Sequence, residues 1–206
     1  MKKLFACMLF TAVTVPAFAY DYNMGRDTYV GFRIHKNERI AFASEMANDF
    51  STTAHDDSFG IGLVVGNRLT DHVKIEFETA YTGGDEEKYG TNYDVDIWSN
   101  MLNVYLYQQF GGAVEPYAGL GVGIAGLWGS ATGAGIDASD ATADLSWSAM
   151  VGVNFALNSR IDLNIGLKYQ NYGDLDMKDD THGHISTEVD ATELYIGAAY
   201  KFGIGM

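Results

Sequence analysis

Two histidines near the carboxyl end of the chain are the first candidates for metal chemistry. His182 and His184 flank a glycine and follow Asp179 and Asp180. Imidazole and carboxylate groups are suitable ligands for several transition metals. A structural zinc site also needs further ligands at a regular spacing, and the sequence has no second pair to accompany this one. We therefore favour a solvated polar loop here, and we expect no metal ion and no other cofactor.

The same histidine begins a second candidate site, His184-Ile185-Ser186. In covalent catalysis a serine attacks, a histidine accepts its proton, and a third group orients the histidine. This His-x-Ser pattern resembles the pair of the outer-membrane lipid A deacylases, which implies an orienting glutamate roughly a dozen residues later. Ala198 stands at that distance, whereas Glu188 and Glu193 come too early. We therefore predict no catalytic residues, and a lipid A-modifying enzyme is the less favoured alternative.

The composition is acidic and rich in glycine and aromatic residues. The 206 residues include 13 Lys and Arg against 27 Asp and Glu, a formal net charge of −14. Nucleic-acid binding requires basic patches, so no nucleic-acid partner is expected. There are 24 Gly, 13 Tyr and 11 Phe. A membrane barrel accommodates both types, because glycines can face a narrow lumen while aromatic side chains line the two interfaces.

Residues 1–19 have the three parts of a secretory signal peptide. Met1-Lys2-Lys3 is positively charged, the chain is apolar from Leu4 to Val15, and Ala17-Phe18-Ala19 is a small-residue cleavage motif. The only cysteine, Cys7, stands too early in the apolar segment to favour lipidation. We predict a signal peptide at 1–19, followed by one domain at 20–206 that has no thiol.

Beyond the signal peptide, apolar and polar residues alternate with a period of two in about eight segments, which predicts β-strands. The segments are Thr28–His35, Phe59–Gly66, Val73–Tyr81, Trp98–Phe110, Pro116–Gly126, Asp144–Leu157, Ile161–Tyr172 and Tyr195–Phe202. Short turns alternate with long polar loops, predicted at Lys36–Asp57, Thr82–Ile97, Leu127–Ala143 and Gly173–Thr187. This pattern indicates an all-β fold, an eight-stranded antiparallel up-and-down transmembrane β-barrel with short periplasmic turns and long extracellular loops.

The strand faces opposite the apolar residues carry charges. We predict that these inward residues form an interior charge cluster of Arg33, Lys74, Glu76, Glu78, Asp162, Lys168 and Glu193. An eight-stranded barrel is just wide enough for side chains to fill, and buried charges are tolerated when they are paired. Arg33 and Lys168 are therefore expected to pair with Glu76, Glu78 or Glu193. We favour a structural plug, with an ion path through a narrow pore as the alternative.

Aromatic residues near the predicted strand ends are expected to form girdles at the membrane interfaces. They are Tyr81, Trp98, Trp128, Trp147, Tyr169, Tyr172 and Tyr200. A soluble lipocalin-type barrel is the alternative fold, since it turns the apolar face inward and the alternation alone does not distinguish the two. The glycine-rich, charged opposite face and the alternating loop lengths favour the membrane barrel.

Segments along the whole predicted mature chain resemble one family, the OmpA/OmpX-like, opacity-porin type of outer-membrane β-barrel. The segments are TYVGFRI, NRLTDH before KIEFETAY, VEPYAGLGVG, WSAMVGVNFALNSRIDLNIGLKY and YIGAAYKF. In the last of these, Tyr195, Gly197, Tyr200 and Phe202 resemble the C-terminal signal recognised by the barrel-assembly machinery. Family members commonly end on the aromatic residue, whereas Gly203–Met206 follows it here.

The resemblance implies a monomeric protein in the outer membrane of a Gram-negative bacterium. Its implied partners are outer-membrane lipid and lipopolysaccharide, the barrel-assembly machinery and host surface molecules. It also implies that the protein acts as a surface antigen or adhesin, or in envelope integrity. We expect the acidic extracellular loops to carry that function.

Overall fold

Antiparallel β-strands build the described structure. The computed structural model describes residues 28–44, 51–54, 58–88, 91–110, 112–133, 136–179 and 183–202. The strands are β1 (Thr28–Ser44), β2 (Ser51–Ala54), β3 (Ser58–Arg68), β4 (Val73–Lys88), β5 (Thr91–Tyr107), β6 (Val114–Gly133), β7 (Ile136–Ala156), β8 (Ile161–Asp179) and β9 (Gly183–Lys201). No helix in this part of the chain is long and apolar enough to cross a membrane.

Pairing between the first and last long strands closes the sheet into a barrel. Strands β3 to β9 follow one another in order, and β1 pairs with both β3 and β9. The short β2 pairs with β1 at Ile40–Ala43. It lies on the same edge of β1 as β3, which pairs with Thr28–Asn37. The barrel wall therefore has eight strands, and the predicted all-β, antiparallel up-and-down barrel is confirmed.

Side chains stabilise the turns between strands at one end of the barrel, here called the turn end. Asn158 accepts hydrogen bonds from the backbone N–H groups of Arg160 and Ile161 at 2.8 and 2.9 Å. Thr70 Oγ1 likewise accepts one from Val73 at 3.0 Å. Asn and Thr stabilise turns in this way because their side chains can replace a backbone partner. The opposite end is called the loop end.

The strands continue further toward the loop end than the sequence predicted. The predicted loops Lys36–Asp57, Thr82–Ile97, Leu127–Ala143 and Gly173–Thr187 are wrong over much of their length. β4 and β5, for example, stay paired as far as Lys88 and Thr91. A ladder of backbone hydrogen bonds does not require one apolar face. Strand pairing can therefore continue where alternation in the sequence has stopped.

The two strand faces have opposite character, as the period of two predicts. In β3, Phe59, Ile61 and Leu63 expose about 60% of their surface, and the residues between them are buried. Large apolar side chains are exposed in this way on the strands around the barrel, which gives the apolar outer band expected of a membrane barrel.

The lumen is packed partly by tyrosines that lie across glycines on the neighbouring strand. A Cβ atom added at the glycine would overlap the ring of the facing tyrosine in four such pairs. These are Tyr29 with Gly66, Tyr105 with Gly119, Tyr117 with Gly152 and Tyr195 with Gly166. The inward glycines thus make room for aromatic rings in a narrow interior.

The strands are strongly tilted. Thr28 pairs with a residue of β3, that residue pairs with one of β4, and so on from strand to strand. This path around the barrel returns to β1 at Arg39, and not at Thr28. Closing a barrel requires such a stagger together with strand tilt. The tilt decides which inward side chains meet across the lumen.

Candidate functional site

Arg33 lies at the centre of a buried ionic network in the lumen. Its Nη2 and Nη1 atoms contact Glu76 Oε2 at 2.6 Å and Glu78 Oε2 at 2.7 Å. The guanidinium also lies 5.1 Å from the centre of the Tyr195 ring. The planar, multiply donating guanidinium can bind two carboxylates at once. Arg33 therefore joins β1 to two successive inward residues of β4.

A second part of the network connects β1 with β8 and β9. His35 has one carboxylate near each ring nitrogen, with Glu193 Oε2 2.9 Å from Nδ1 and Glu78 Oε1 3.0 Å from Nε2. Lys168 Nζ contacts Glu193 Oε2 at 2.9 Å. Tyr172 donates a hydrogen bond to the other oxygen of Glu193 at 2.5 Å. Glu193 is thus held by three side chains.

Lys74 completes the network among aromatic rings. Its Nζ contacts Glu76 Oε1 at 3.2 Å, and Tyr29 donates to the same oxygen at 2.6 Å. The ammonium also lies 4.5 and 4.7 Å from the ring centres of Tyr105 and Tyr117. Such cation–π contacts are strengthened when water is excluded.

These contacts define one site, here called the central network. Its members are Arg33, His35, Lys74, Glu76, Glu78, Lys168 and Glu193. All are almost completely buried. Three carboxylates face two lysines, an arginine and a histidine, so each buried acid has a cation within contact distance. Such an arrangement can hold strands together across a narrow lumen.

An apolar layer lies above the central network, toward the loop end. It consists of Ile97, Ala125, Leu127, Tyr172, Val189 and Ala191, none more than 2% exposed. These side chains come from β5, β6, β8 and β9. Buried polar side chains, Asn37, Ser58 and Thr82, complete this part of the lumen on β1, β3 and β4.

Asp162 belongs to a different group, at the turn end. It contacts Lys201 at 2.8 Å and Arg68 at 3.6 Å. Arg68 also makes two contacts of 2.9 Å to the carboxylate of Glu115, and Asn154 donates to that carboxylate at 2.9 Å. We call Arg68, Glu115, Asp162 and Lys201 the turn-end cluster. Including Asp162 in a single interior cluster was therefore wrong, because it lies low on β8, well below Lys168.

Tyr172 is also corrected by the structure, since it lies inside the lumen and not in an interface girdle. It is the extra residue of a β-bulge, because Asn171 pairs with Asp190 and Gly173 with Val189. Gly173 has a φ of 92°, a conformation that glycine adopts without strain. Tyr172 keeps the inward parity of Lys168, and the bulge reverses the alternation beyond it. Other predicted girdle residues, Tyr81, Trp128, Trp147, Tyr169 and Tyr200, are exposed on the outer surface.

The residues of the C-terminal motif point in two directions. Tyr195 is buried in the lumen, where its hydroxyl lies 2.6 Å from that of Tyr117, and Gly197 is buried on the same face. Tyr200 and Phe202 are exposed, with their rings 5.2 Å apart in an edge-to-face contact. The tail Gly203–Met206 lies outside the described residues.

The predicted candidates for metal binding and catalysis lie outside the described side chains. His182 and Asp180 lie outside the described residues, and the side chains of Asp179, His184 and Ser186 lie outside the described side chains. Among the residues that are described, no group of three or more His, Cys, Asp or Glu side chains could hold a metal ion.

Some members of these sites were missed by the sequence analysis, although the alternation contained a signal for them. His35 shares the inward parity of Arg33, and Arg68 continues the inward series of β3. Glu115 and Lys201 likewise share parity with buried neighbours. The apolar layer was missed for another reason, because Ile97 and Leu127 lay in predicted loops.

Comparisons with known proteins agree with this architecture. A family model described as the outer membrane protein beta-barrel domain matches residues 5–202. The chain is similar in structure to Neisserial surface protein A, with a TM-score of 0.57 and 20% identity over 85% of this chain and 97% of that one.

Two further solved structures are similar. OprG from Pseudomonas aeruginosa has a TM-score of 0.54 and 18% identity, with 87% and 97% of the two chains covered. Ail, the attachment invasion locus protein of Yersinia pestis, has a TM-score of 0.52 and 14% identity, with 87% and 100% covered. No curated protein matches the sequence. At these identities the structural likeness concerns the fold.

Proposed function

Because the chain belongs to the family of outer membrane protein β-barrel domains, we propose that it is a non-enzymatic surface protein with a plugged lumen. It is a bacterial outer-membrane protein, and the resemblance to that class of barrel is confirmed. In this proposal the barrel serves as an anchor, and the acidic loop end makes the contacts on which the function depends.

The observation that carries this proposal is the filling of the lumen. The central network joins β1, β4, β8 and β9, and the apolar layer adjoins it through Tyr172. A solute on its way through would have to separate several buried ion pairs, and a buried charge without its partner is costly. It would also have to pass the buried side chains of the apolar layer. Both features support a plug over a pore.

The charge distribution supports a surface role for the loop end. Most of the 27 acidic residues fall in the four segments of the sequence that lead to and from the loop end. Asp85 pairs with Asp94 in the β4–β5 extension, for example. A solved structure of Ail contains a heparin analogue, sucrose octasulfate. An acidic surface repels such a polyanion, so we propose cationic groups as partners here, either divalent cations that bridge lipopolysaccharide or basic patches on host surface molecules.

Conductance across a planar lipid bilayer tests the plug. The wild-type protein is expected to give no steady current, and so is the lipid-facing control Thr79→Ala. Glu78→Ala removes a carboxylate that contacts Arg33 and His35. In this variant we expect at most brief, irregular current steps. A large, steady wild-type conductance that Glu78→Ala abolishes would overturn the plug in favour of a pore with a functional ion path.

Neutralising the loop end tests the surface role. Cells carry either the wild type or the triple variant Asp85→Asn, Glu86→Gln, Glu87→Gln, with Asp71→Asn at the turn end as the matched control. We expect the triple variant alone to reduce resistance to a chelator and to reduce adhesion to a basic protein surface. If all three strains behave alike in both assays, these acids do not carry the function.

A further inference from the structure

The first and last long strands meet at a seam that no hairpin turn connects. β1 and β9 pair from Tyr29–Lys201 to Ser44–Thr187. In a hairpin the turn fixes the register of the two strands. The seam has no turn of its own, so other contacts must select its register.

The apolar and polar faces select it incompletely. A slip of one residue turns every side chain to the wrong face and is strongly disfavoured. A slip of two residues keeps the faces, because the side-chain period is two. At the seam the outward residues are Val30, Phe32 and Ile34 against Ile196, Ala198 and Tyr200, which suit lipid in either register. Selection between registers two residues apart must therefore come from the lumen.

On the lumen side of the seam, a large residue lies between two glycines. Arg33 pairs with Gly197 of β9 and with Gly62 of β3. A Cβ atom added at Gly197 would lie 2.8 Å from Arg33 Cγ and 2.5 Å from the backbone oxygen of Phe32. The stem of Arg33 thus occupies the space that the missing side chain leaves.

The far end of the same side chain is fixed to β4, which is separated from β1 by β3 alone. The guanidinium contacts Glu76 and Glu78 on β4 at 2.6 and 2.7 Å, and it is only 2% exposed. β1 pairs with β3 and β3 pairs with β4, so the height of Glu76 and Glu78 relative to Arg33 does not depend on the register of the seam. A two-residue slip of β9 would bring Tyr195 or Ala199 opposite Arg33, and each carries a Cβ atom where Gly197 leaves space for the Arg33 stem.

We propose that Arg33 and the glycine notch at Gly197 select the register in which β9 closes onto β1. Glu76 and Glu78 hold Arg33 at a fixed height, and Gly197 is the residue of β9 that fits beside it. The pair acts as a specificity determinant for self-recognition of the chain ends during assembly. This role is separate from sealing the lumen, because it concerns strand pairing and not passage through the barrel.

Cysteine cross-linking reads the register directly. Opposed residues on antiparallel strands have Cα atoms about 4.5–5.5 Å apart, within disulfide range, whereas diagonal neighbours are about 7–8 Å apart. In outer membranes, Phe32→Cys with Ala198→Cys reports the native register. Phe32→Cys with Ile196→Cys or with Tyr200→Cys reports the two slipped registers. The single native cysteine, Cys7, is replaced by serine, and only the folded, heat-modifiable band is analysed.

Two kinds of variant are compared with a lipid-facing control. Arg33→Ala should raise the ratio of slipped to native cross-link by at least roughly tenfold, because the buried anchor is lost. Arg33→Met keeps the stem and should give a smaller increase in this ratio. It replaces Arg33→Ala in the test if that variant does not assemble. Ile34→Ala, on the same strand, should leave the native cross-link unchanged.

Moving the notch is the sharper test. The double variant Gly197→Ala, Ala199→Gly places the glycine two residues further along β9. The dominant cross-link should then move from Ala198→Cys to Tyr200→Cys, each paired with Phe32→Cys. A folded double variant that keeps the native cross-link, or an Arg33→Ala barrel with no slipped product, would overturn the proposal.

Discussion

The central network and the turn-end cluster are built from the same residue types, yet they differ in their access to water. Arg33 and Glu76 expose 2% and 1% of their side chains, whereas Arg68 and Glu115 expose 15% and 11%. The central network lies beneath the apolar layer and among tyrosine rings. The turn-end cluster lies at the mouth of the barrel.

This difference determines what each ion pair contributes. A buried pair stabilises weakly as a whole but costs much when one partner is removed, since a charge is then left without water or counter-charge. A pair near the surface can rehydrate, so its loss costs little. The central network should therefore constrain the barrel strongly, and the turn-end cluster should contribute mainly to its local order.

The largest expected effect is that of removing Glu193. Glu193→Ala leaves Lys168, His35 and the hydroxyl of Tyr172 without their shared partner, and it should lower the free energy of unfolding by about 3–5 kcal/mol. Denaturant unfolding in lipid vesicles, followed by tryptophan fluorescence, measures the change. A loss below about 1 kcal/mol would show that water reaches the central network as readily as it reaches the turn end.

A smaller effect is expected from Tyr172→Phe. The ring stays in the apolar layer, but Glu193 loses one hydrogen bond, and bonds to a charged group contribute about 1.5–3 kcal/mol. Tyr200→Phe is the matched control on the outer surface, where the hydroxyl lies 3.4 Å from an Arg160 nitrogen, and it should change stability little. Equal effects in the same unfolding assay would contradict the assignment of Tyr172 to the buried site.

The smallest effect is expected from Arg68→Ala. The turn-end cluster is partly exposed, so the free energy of unfolding should fall by roughly 1 kcal/mol or less. Salt screens exposed charges, so the loss should shrink further between low and high ionic strength. Unfolding curves at two salt concentrations check this. A loss as large as that of Glu193→Ala, and independent of salt, would remove the distinction between the two clusters.

Much of the fold and part of the candidate site followed from the sequence for one reason. The side-chain period of a strand is local, so each residue's parity depends only on its neighbours. The inward direction of Arg33, Glu76, Glu78 and Lys168 could therefore be predicted, as could the apolar outer band. Tyr172 shows the limit, because its place at a bulge depends on the pairing of β8 with β9.

The sequence by itself determined the eight strands of the barrel wall, the faces of their regular parts and, through the family resemblance, the membrane class of the barrel. The tertiary structure alone decided which charges meet, where Asp162 lies and that an apolar layer adjoins the central network. Contacts across the lumen depend on strand tilt and on register around the whole barrel. Tilt and register arise from pairing between distant segments, and no local pattern in the chain records them.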